Sequence, residues 1–278
     1  MFLVVGSAGQ LGNELRLQLG KENADYVDRN ELDVTDAYAV RSVVDPDKYQ
    51  AIINCAAYTA VDKAEDDVEL AAKINVEGPA NLAATGIPLI HISTDYVFDG
   101  KNSVPYKETD AARPQSVYGY TKLDGERAVI AKADTAVIIR TAWLYSEFGN
   151  NFVKTMRRLG RERDSLNVVF DQIGTPTYAG DLAAAIVAIL PQIKPGSKEI
   201  YHFTNEGVCS WYDFATAIME LSGIDCHVAP IESSQYPTRA VRPNYSVLNK
   251  AKIKSVFGME IRHWREALAE CINNMRGE

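Results

Sequence analysis

Hydrophobic positions along the chain fall into two alternating kinds of segment. Short apolar runs at Phe2–Val5, Ala51–Cys55, Pro88–Ile92 and Ala136–Arg140 predict buried strands. Between them, Gly9–Leu19, Asp62–Thr85 and Val117–Lys132 predict helices, the last two being rich in Ala, Leu, Glu and Lys. Strands without a polar face, separated by helices, predict a parallel sheet covered on both sides. The rhythm breaks after Arg140. Gly149–Arg163 predicts a basic helix, Asn167–Phe170 a strand, Asp181–Leu190 a short apolar helix and Glu199–Phe203 another strand. Trp211–Leu221 and Trp264–Met275 predict helices of a smaller C-terminal lobe, separated by the Pro-containing stretch 230–243. The expected fold class is therefore α/β, a Rossmann-like doubly wound sheet with a C-terminal substrate-binding lobe. Residues 1–146, with 176–204 returning to them, are expected to bind a dinucleotide; 147–175 and 205–278 are expected to form the lobe.

Composition narrows the classes. With 278 residues, 46% of them hydrophobic, the chain can bury a large core. A net charge of −8 argues against a nucleic-acid binder, which needs clustered cations to meet phosphates. Cys55, Cys209, Cys226 and Cys271 are far apart with no CxxC pair, so buried thiols in a reducing compartment are expected rather than a zinc site or disulfide framework. Met1–Gly6 is too short and too soon interrupted by glycine for a signal peptide, and no apolar run approaches the ~20 residues that span a bilayer. A cytoplasmic chain without membrane partners is expected.

The chemistry begins at Gly6-Ser7-Ala8-Gly9-Gln10-Leu11-Gly12, between the first strand and the first helix. Glycines there let the backbone turn tightly and approach a pyrophosphate, whose charge is met by free helix N–H groups. The spacing is GxxGxxG. Asp28, at the end of a predicted second strand, is placed to meet the adenosine ribose, whereas Arg29 beside it could meet a 2′-phosphate; NAD and NADP both stay open. Asp33-Val34 could flank the adenine, although Asp33 could equally cap the next helix. Ala56-Ala57-Tyr58-Thr59 follows a strand, where small residues either admit a dinucleotide or serve tight strand–helix packing. Ser93-Thr94-Asp95 ends another strand, with a hydroxyl able to polarise a carbonyl and a carboxylate able to bind a sugar hydroxyl; the bland alternative is a capping cluster.

Tyr118 and Lys122 stand four apart in a predicted helix, hence on one face. A free phenol keeps its proton to pH ~10, so acid–base work near neutrality needs a shift of ~3 units, or ~4 kcal/mol, part of which a neighbouring ammonium supplies. The order glycine turn, strand-end hydroxyl, Tyr and Lys makes the catalytic reading dominant. Duller readings suit the rest. His91 and His202 are expected to be packed imidazoles, and His227 and His263 lack partners at metal-ligand spacing. Lys63–Glu69 is expected to be a solvated helix face, and Trp211 and Trp264 lobe core, whereas Trp143 could reach a substrate.

Longer strings carry a resemblance over nearly the whole chain. They are Gly6–Gly12, Asn54–Glu65, Ser93–Phe98, Tyr118–Lys122, Arg140–Tyr145, Gly149–Met156, Asp171–Thr177 and Arg242-Pro243. In these the chain resembles the extended short-chain dehydrogenases/reductases, and more narrowly their branch that reduces dTDP-linked 4-ketosugars. The resemblance implies NADPH or NADH as cofactor, with NADPH slightly favoured, and a homodimer. It implies Thr94, Tyr118 and Lys122 as the catalytic set, and Gln10, Leu11, Asp28, Asp33, Val34, Ala56, Ala57, Tyr58, Tyr118 and Lys122 around the cofactor. Asp95 and Trp143 would contact a dTDP-deoxysugar. The reaction implied is reduction of the C4 ketone of dTDP-4-dehydro-6-deoxy-L-mannose to dTDP-L-rhamnose. Some members carry magnesium between subunits on acidic side chains. Glu14 fits one such position, but Gly180 stands where the second acid is expected and Asp181 comes one residue late, so no metal is expected. The rival readings are an epimerase or dehydratase on another nucleotide sugar, and a non-catalytic regulatory subunit. Tyr96 after Asp95 removes the acidic pair that dehydration needs.

Overall fold

Six parallel strands form the frame. The computed structural model describes residues 1–275, so the lobe expected to run to residue 278 is described to Met275. The first half runs β1 (Phe2–Val5), α1 (Gln10–Asn23), β2 (Ala24–Val27), α2 (Ala37–Val43), β3 (Ala51–Asn54), α3 (Val61–Ala64), α4 (Val68–Ala72) and α5 (Gly78–Ala83). It continues through β4 (Leu89–Thr94), α6 (Val117–Lys132) and β5 (Ala136–Thr141). The second half holds β6 (Leu144–Tyr145), α7 (Phe152–Glu162), β7 (Ser165–Val169), β8 (Ile173–Gly174), β9 (Thr177–Tyr178), α8 (Ala179–Ile189) and β10 (Lys198–His202). Last come β11 (Cys209–Ser210), α9 (Trp211–Ser222), β12 (His227–Ile231), α10 (Ala251–Phe257) and α11 (Trp264–Asn274).

The main sheet has the order β10-β5-β4-β3-β1-β2, all parallel. Its strands alternate their side chains between two apolar layers, as a doubly covered sheet must. Val4, Ile53, Ile90 and Ile139 pack with α1 and α8 through Leu11, Leu15, Leu182 and Ile186. Leu3, Val5, Ile52 and Ile138 pack on the opposite side with Val40, Leu82 and Val129 from α2, α5 and α6. Strand β10 pairs at the edge of this sheet, and α8 packs on its core. A separate core gathers Tyr145, Met156, Leu166, Phe214, Ile218, Trp264 and Leu268 from α7, α9, α11 and the short strands. Ile253 of α10, beyond residue 205, joins the sheet core instead.

One predicted helix is broken. Asp62–Thr85 folds as three short helices with a π-helical segment at Lys73–Glu77. Asn75, buried within that segment, donates to the Tyr58 carbonyl and to Thr121 Oγ1 of α6 and accepts from Tyr58 N–H at 2.8 Å. Pro79 then enters α5 in its first turn, where its missing N–H costs least.

Candidate active site

The carboxyl ends of β1, β3, β4 and β5 converge where β1 separates the two windings of the sheet, the place open α/β sheets bind ligands. The chain leaves β1 through Gly6 at φ +76°, in the left-handed region that favours glycine. A Cβ on Gly6 would lie 2.6 Å from Ala56 N, and one on Gly12 would lie 2.5 Å from Ser7 Cα. Glycine alone lets β1, α1 and the segment after β3 approach this closely. Gly9 precedes α1 without a side-chain cap, and the first turn carries no acid. Free N–H groups at the head of α1 beside that cradle fit a pyrophosphate.

Two cavities of about 520 and 490 Å³ share Gly6, Gly9, Cys55 and Ala57 as wall. The first is lined by Gln10, Leu11, Gly12, Thr94, Asp95, Tyr118, Lys122 and Trp143. The second is lined by Asp28, Arg29, Asp33, Val34 and Ala56. Asp28 accepts from Ala8 N–H at 3.1 Å and Arg29 N–H at 2.7 Å, which ties the end of β2 to the glycine turn. Arg29 is exposed, with its Nε 3.9 Å from Asp33. Asp33 binds the Thr35 hydroxyl and N–H, which hold its carboxyl below the usual range. It does not cap α2; Asp36 does, accepting from Tyr38 and Ala39 N–H. The Tyr58 hydroxyl donates to Asp67 at 2.8 Å, and Tyr58 itself is not among the residues lining either cavity.

Tyr118 and Lys122 lie on α6, whose start is fixed twice. Ser116 accepts from Gly119 N–H, and Glu65 of the preceding helical segment accepts from Val117 N–H at 2.9 Å. The Tyr118 ring meets Tyr96 edge-on at 5.3 Å, and its hydroxyl interacts with the Thr94 side chain. Burial pushes the phenol well above its ordinary range, against a smaller pull from Thr94. The group therefore keeps its proton at neutral pH, the state a proton donor needs. Lys122, 2% exposed, donates to the Ile92 carbonyl at 2.6 Å. Burial brings its ammonium down to about 8, opposed by Glu126 and Cys55. Thr94 closes β4 and donates to Asp95 at 3.0 Å; burial raises the Asp95 carboxyl to about 6.

Trp143 is the only non-glycine residue with positive φ, +49°, among the described residues. Its indole stacks on Trp211 at 3.6 Å and 10°, and Trp211 packs against Phe152 at 4.6 Å. Trp211 packs on the lobe core, as expected, and also backs the cavity wall; Gly174 leaves room, because a Cβ there would meet Trp143 at 2.7 Å. The acidic stretch at 63–69 is likewise more than a solvated face. Besides Glu65 holding α6, Asp66 pairs with Arg239 at 2.5 Å. Just before it, Asp62 pairs with Arg242, whose other nitrogen donates to Tyr96 at 3.1 Å. Sequence spacing carries no signal for Arg239 and Arg242, which lie more than a hundred residues from the groups they meet. His91 and His202 are fully buried, hydrogen-bonded to Asn54 and the Tyr106 carbonyl, and burial pushes both well down.

Glu14 is buried against Glu147, and burial first, then that neighbour, raises its carboxyl to about 8. Asp181 is taken up by Arg262 at 2.7 Å and Asn205 at 2.6 Å.

Glycine cradle, doubly wound sheet and a Tyr–Lys pair beside a strand-end hydroxyl define an extended short-chain dehydrogenase/reductase. Within that class the sequence matches the RmlD substrate binding domain family over residues 1–277, and the chain belongs to that family. A dTDP-4-dehydrorhamnose reductase from Aggregatibacter actinomycetemcomitans is 44% identical, over 96% of each chain. The crystal structure of a dTDP-4-dehydrorhamnose reductase from Clostridium acetobutylicum superposes with a TM-score of 0.93, at 44% identity over 99% of each chain. One from Bacillus anthracis, in complex with NADP, gives 0.94 at 37% identity over 98% of each.

Proposed function

We propose that the chain reduces the C4 ketone of dTDP-4-dehydro-6-deoxy-L-mannose to dTDP-L-rhamnose. The observation that carries this is a protonated Tyr118, a Thr94 hydroxyl and the Lys122 ammonium lining one cavity with the glycine cradle. Bound NADPH or NADH supplies the hydride. Thr94 hydrogen-bonds the ketone oxygen, favouring the transition state in which charge gathers there. Tyr118 gives that oxygen its proton, and Lys122 stabilises the phenolate left behind and binds the nicotinamide ribose. Asp95 takes a sugar hydroxyl, and Trp143, held by Trp211, forms an apolar wall for the deoxysugar.

Gly6, Gly9, Gln10, Leu11 and Gly12 hold the pyrophosphate. Asp28 and Arg29 face the adenosine ribose, with Asp33, Val34, Ala56 and Ala57 around the base. Residues 1–146 and 176–204 carry the cofactor, and 147–175 with 205–278 the sugar nucleotide. The NADP-bound relative supports the cofactor class. A homodimer working in the cytoplasm is part of the same proposal.

Cofactor consumption tests the reading. With dTDP-4-dehydrorhamnose prepared in situ, one reduced nicotinamide is oxidised per product formed. Product formation without net oxidation indicates an epimerase, and binding without turnover of any dTDP-ketosugar indicates a regulatory homologue.

A further inference from the structure

Below the catalytic lysine lies a second, fully buried charge pair. Glu126 follows Lys122 by one turn of α6, and both are 2% exposed. Ser93 of β4 and Arg140 of β5 are register partners, so both face α6. The Glu126 carboxylate accepts from Ser93 Oγ at 2.5 Å and from Arg140 Nε and Nη2 at 2.8 and 2.7 Å. Ile92, whose carbonyl holds Lys122, is the residue before Ser93. Helix α6 is therefore fastened to β4 at two consecutive residues, once through the ammonium and once through the carboxylate.

Stability alone is a poor reason for this arrangement. A buried ion pair is worth little against well-packed apolar residues of the same volume. Nor is the pair saturated, since Arg140 Nη1 is buried without a hydrogen-bond partner, the guanidinium lying 5.1 Å from the Phe98 ring. The groups around Lys122 are Tyr118 and Glu126 from its own helix, Cys55 after β3 and His91 on β4, while Arg140 on β5 reaches it only through its bonds to Glu126. Burial keeps the Cys55 thiol protonated, raising it to about 12, and keeps His91 neutral. The negative charge near the ammonium thus comes from Glu126, tempered by Arg140.

We propose that Glu126 and Arg140 are positioning residues that set the charge of Lys122, the carboxylate holding it cationic at working pH and the guanidinium limiting that pull. The inference rests on the reductase reading above, because it needs Lys122 charged while Tyr118 gives up its proton.

The test is the pH dependence of kcat for ketosugar reduction, whose alkaline limb follows loss of the Lys122 and Tyr118 protons. Glu126→Gln removes the carboxylate charge one turn from Lys122 and moves the limb to lower pH by about one unit or more. Arg140→Gln leaves Glu126 uncompensated and moves it to higher pH. The Glu126→Gln/Arg140→Gln double variant returns it toward the wild type. A merely structural clamp lowers melting temperature and kcat alike at every pH, with the limb unmoved. Limbs that stay put, or move the same way in both single variants, overturn the proposal. If a charge variant does not fold, Glu126→Asp keeps the charge one methylene further off and gives a smaller downward shift; an unmoved limb there overturns it equally. Absence of wild-type turnover would instead contradict the reductase reading, so the two failures are distinguishable.

Discussion

Two buried glutamates on helices at opposite faces of the sheet show what a carboxylate's partner decides. Glu14 on α1 and Glu126 on α6 are 3% and 2% exposed, so burial does not separate them. Glu126 meets a two-pronged guanidinium and a hydroxyl; Glu14 meets another acid, Glu147, which already accepts from Tyr178 at 2.7 Å and from Asn274 of α11. One site stores a charge next to the chemistry, and the other excludes a charge at the junction of the sheet domain and the lobe. Both carboxyls lose their hydration, and only Glu126 gains a cation in exchange.

Removing the cation breaks that contrast most severely. Arg140→Met strands the Glu126 charge in the core, and denaturant unfolding is expected to show a loss of about 3–5 kcal/mol. A loss below about 1 kcal/mol would mean that water or another cation reaches the site. Glu14→Gln works in the opposite direction. The folded state holds the Glu14 proton up to about pH 8, whereas the unfolded chain releases it near 4.5. Between those values the folded state binds more protons, so stability falls as pH rises through the window. The glutamine variant is therefore expected to gain roughly 1–3 kcal/mol over the wild type above pH 8 and almost nothing below pH 4. Equal melting curves at both pH values would show that Glu14 is solvated. The smallest effect belongs to an exposed charge. Arg29→Ala should change stability by less than about 0.5 kcal/mol, yet weaken NADPH several-fold relative to NADH in a titration. An unchanged ratio would remove Arg29 from the 2′-phosphate.

The same contrast separates what was legible in the sequence from what was not. Strands such as Phe2–Val5 and the helix Val117–Lys132 follow from apolar runs and local spacing, and the structure has both at those bounds. The glycine turn, Thr94, Tyr118 and Lys122 were legible because each motif is short and sits at the end of a regular element. Contacts across long sequence separations were not. Asn75 tying Tyr58 to Thr121, Arg242 bridging Asp62 and Tyr96, and Trp143 strained against Trp211 all depend on chain segments that meet only in the fold. Tyr58 has the same kind of partner: its sequence neighbours line the cavity, and its hydroxyl donates to Asp67. Burial dominates the phenol's surroundings, and the i, i+4 spacing of Tyr118 and Lys122 conveys nothing of it.

Replacing one hydroxyl tests the central claim most directly. Tyr118→Phe removes the proton donor while keeping the ring against Tyr96, and kcat for the ketosugar is expected to fall by about 10²–10⁴-fold. NADPH affinity by titration should stay within a few-fold of the wild type. Near-normal turnover in that variant would contradict the account, because the proton would then come from elsewhere.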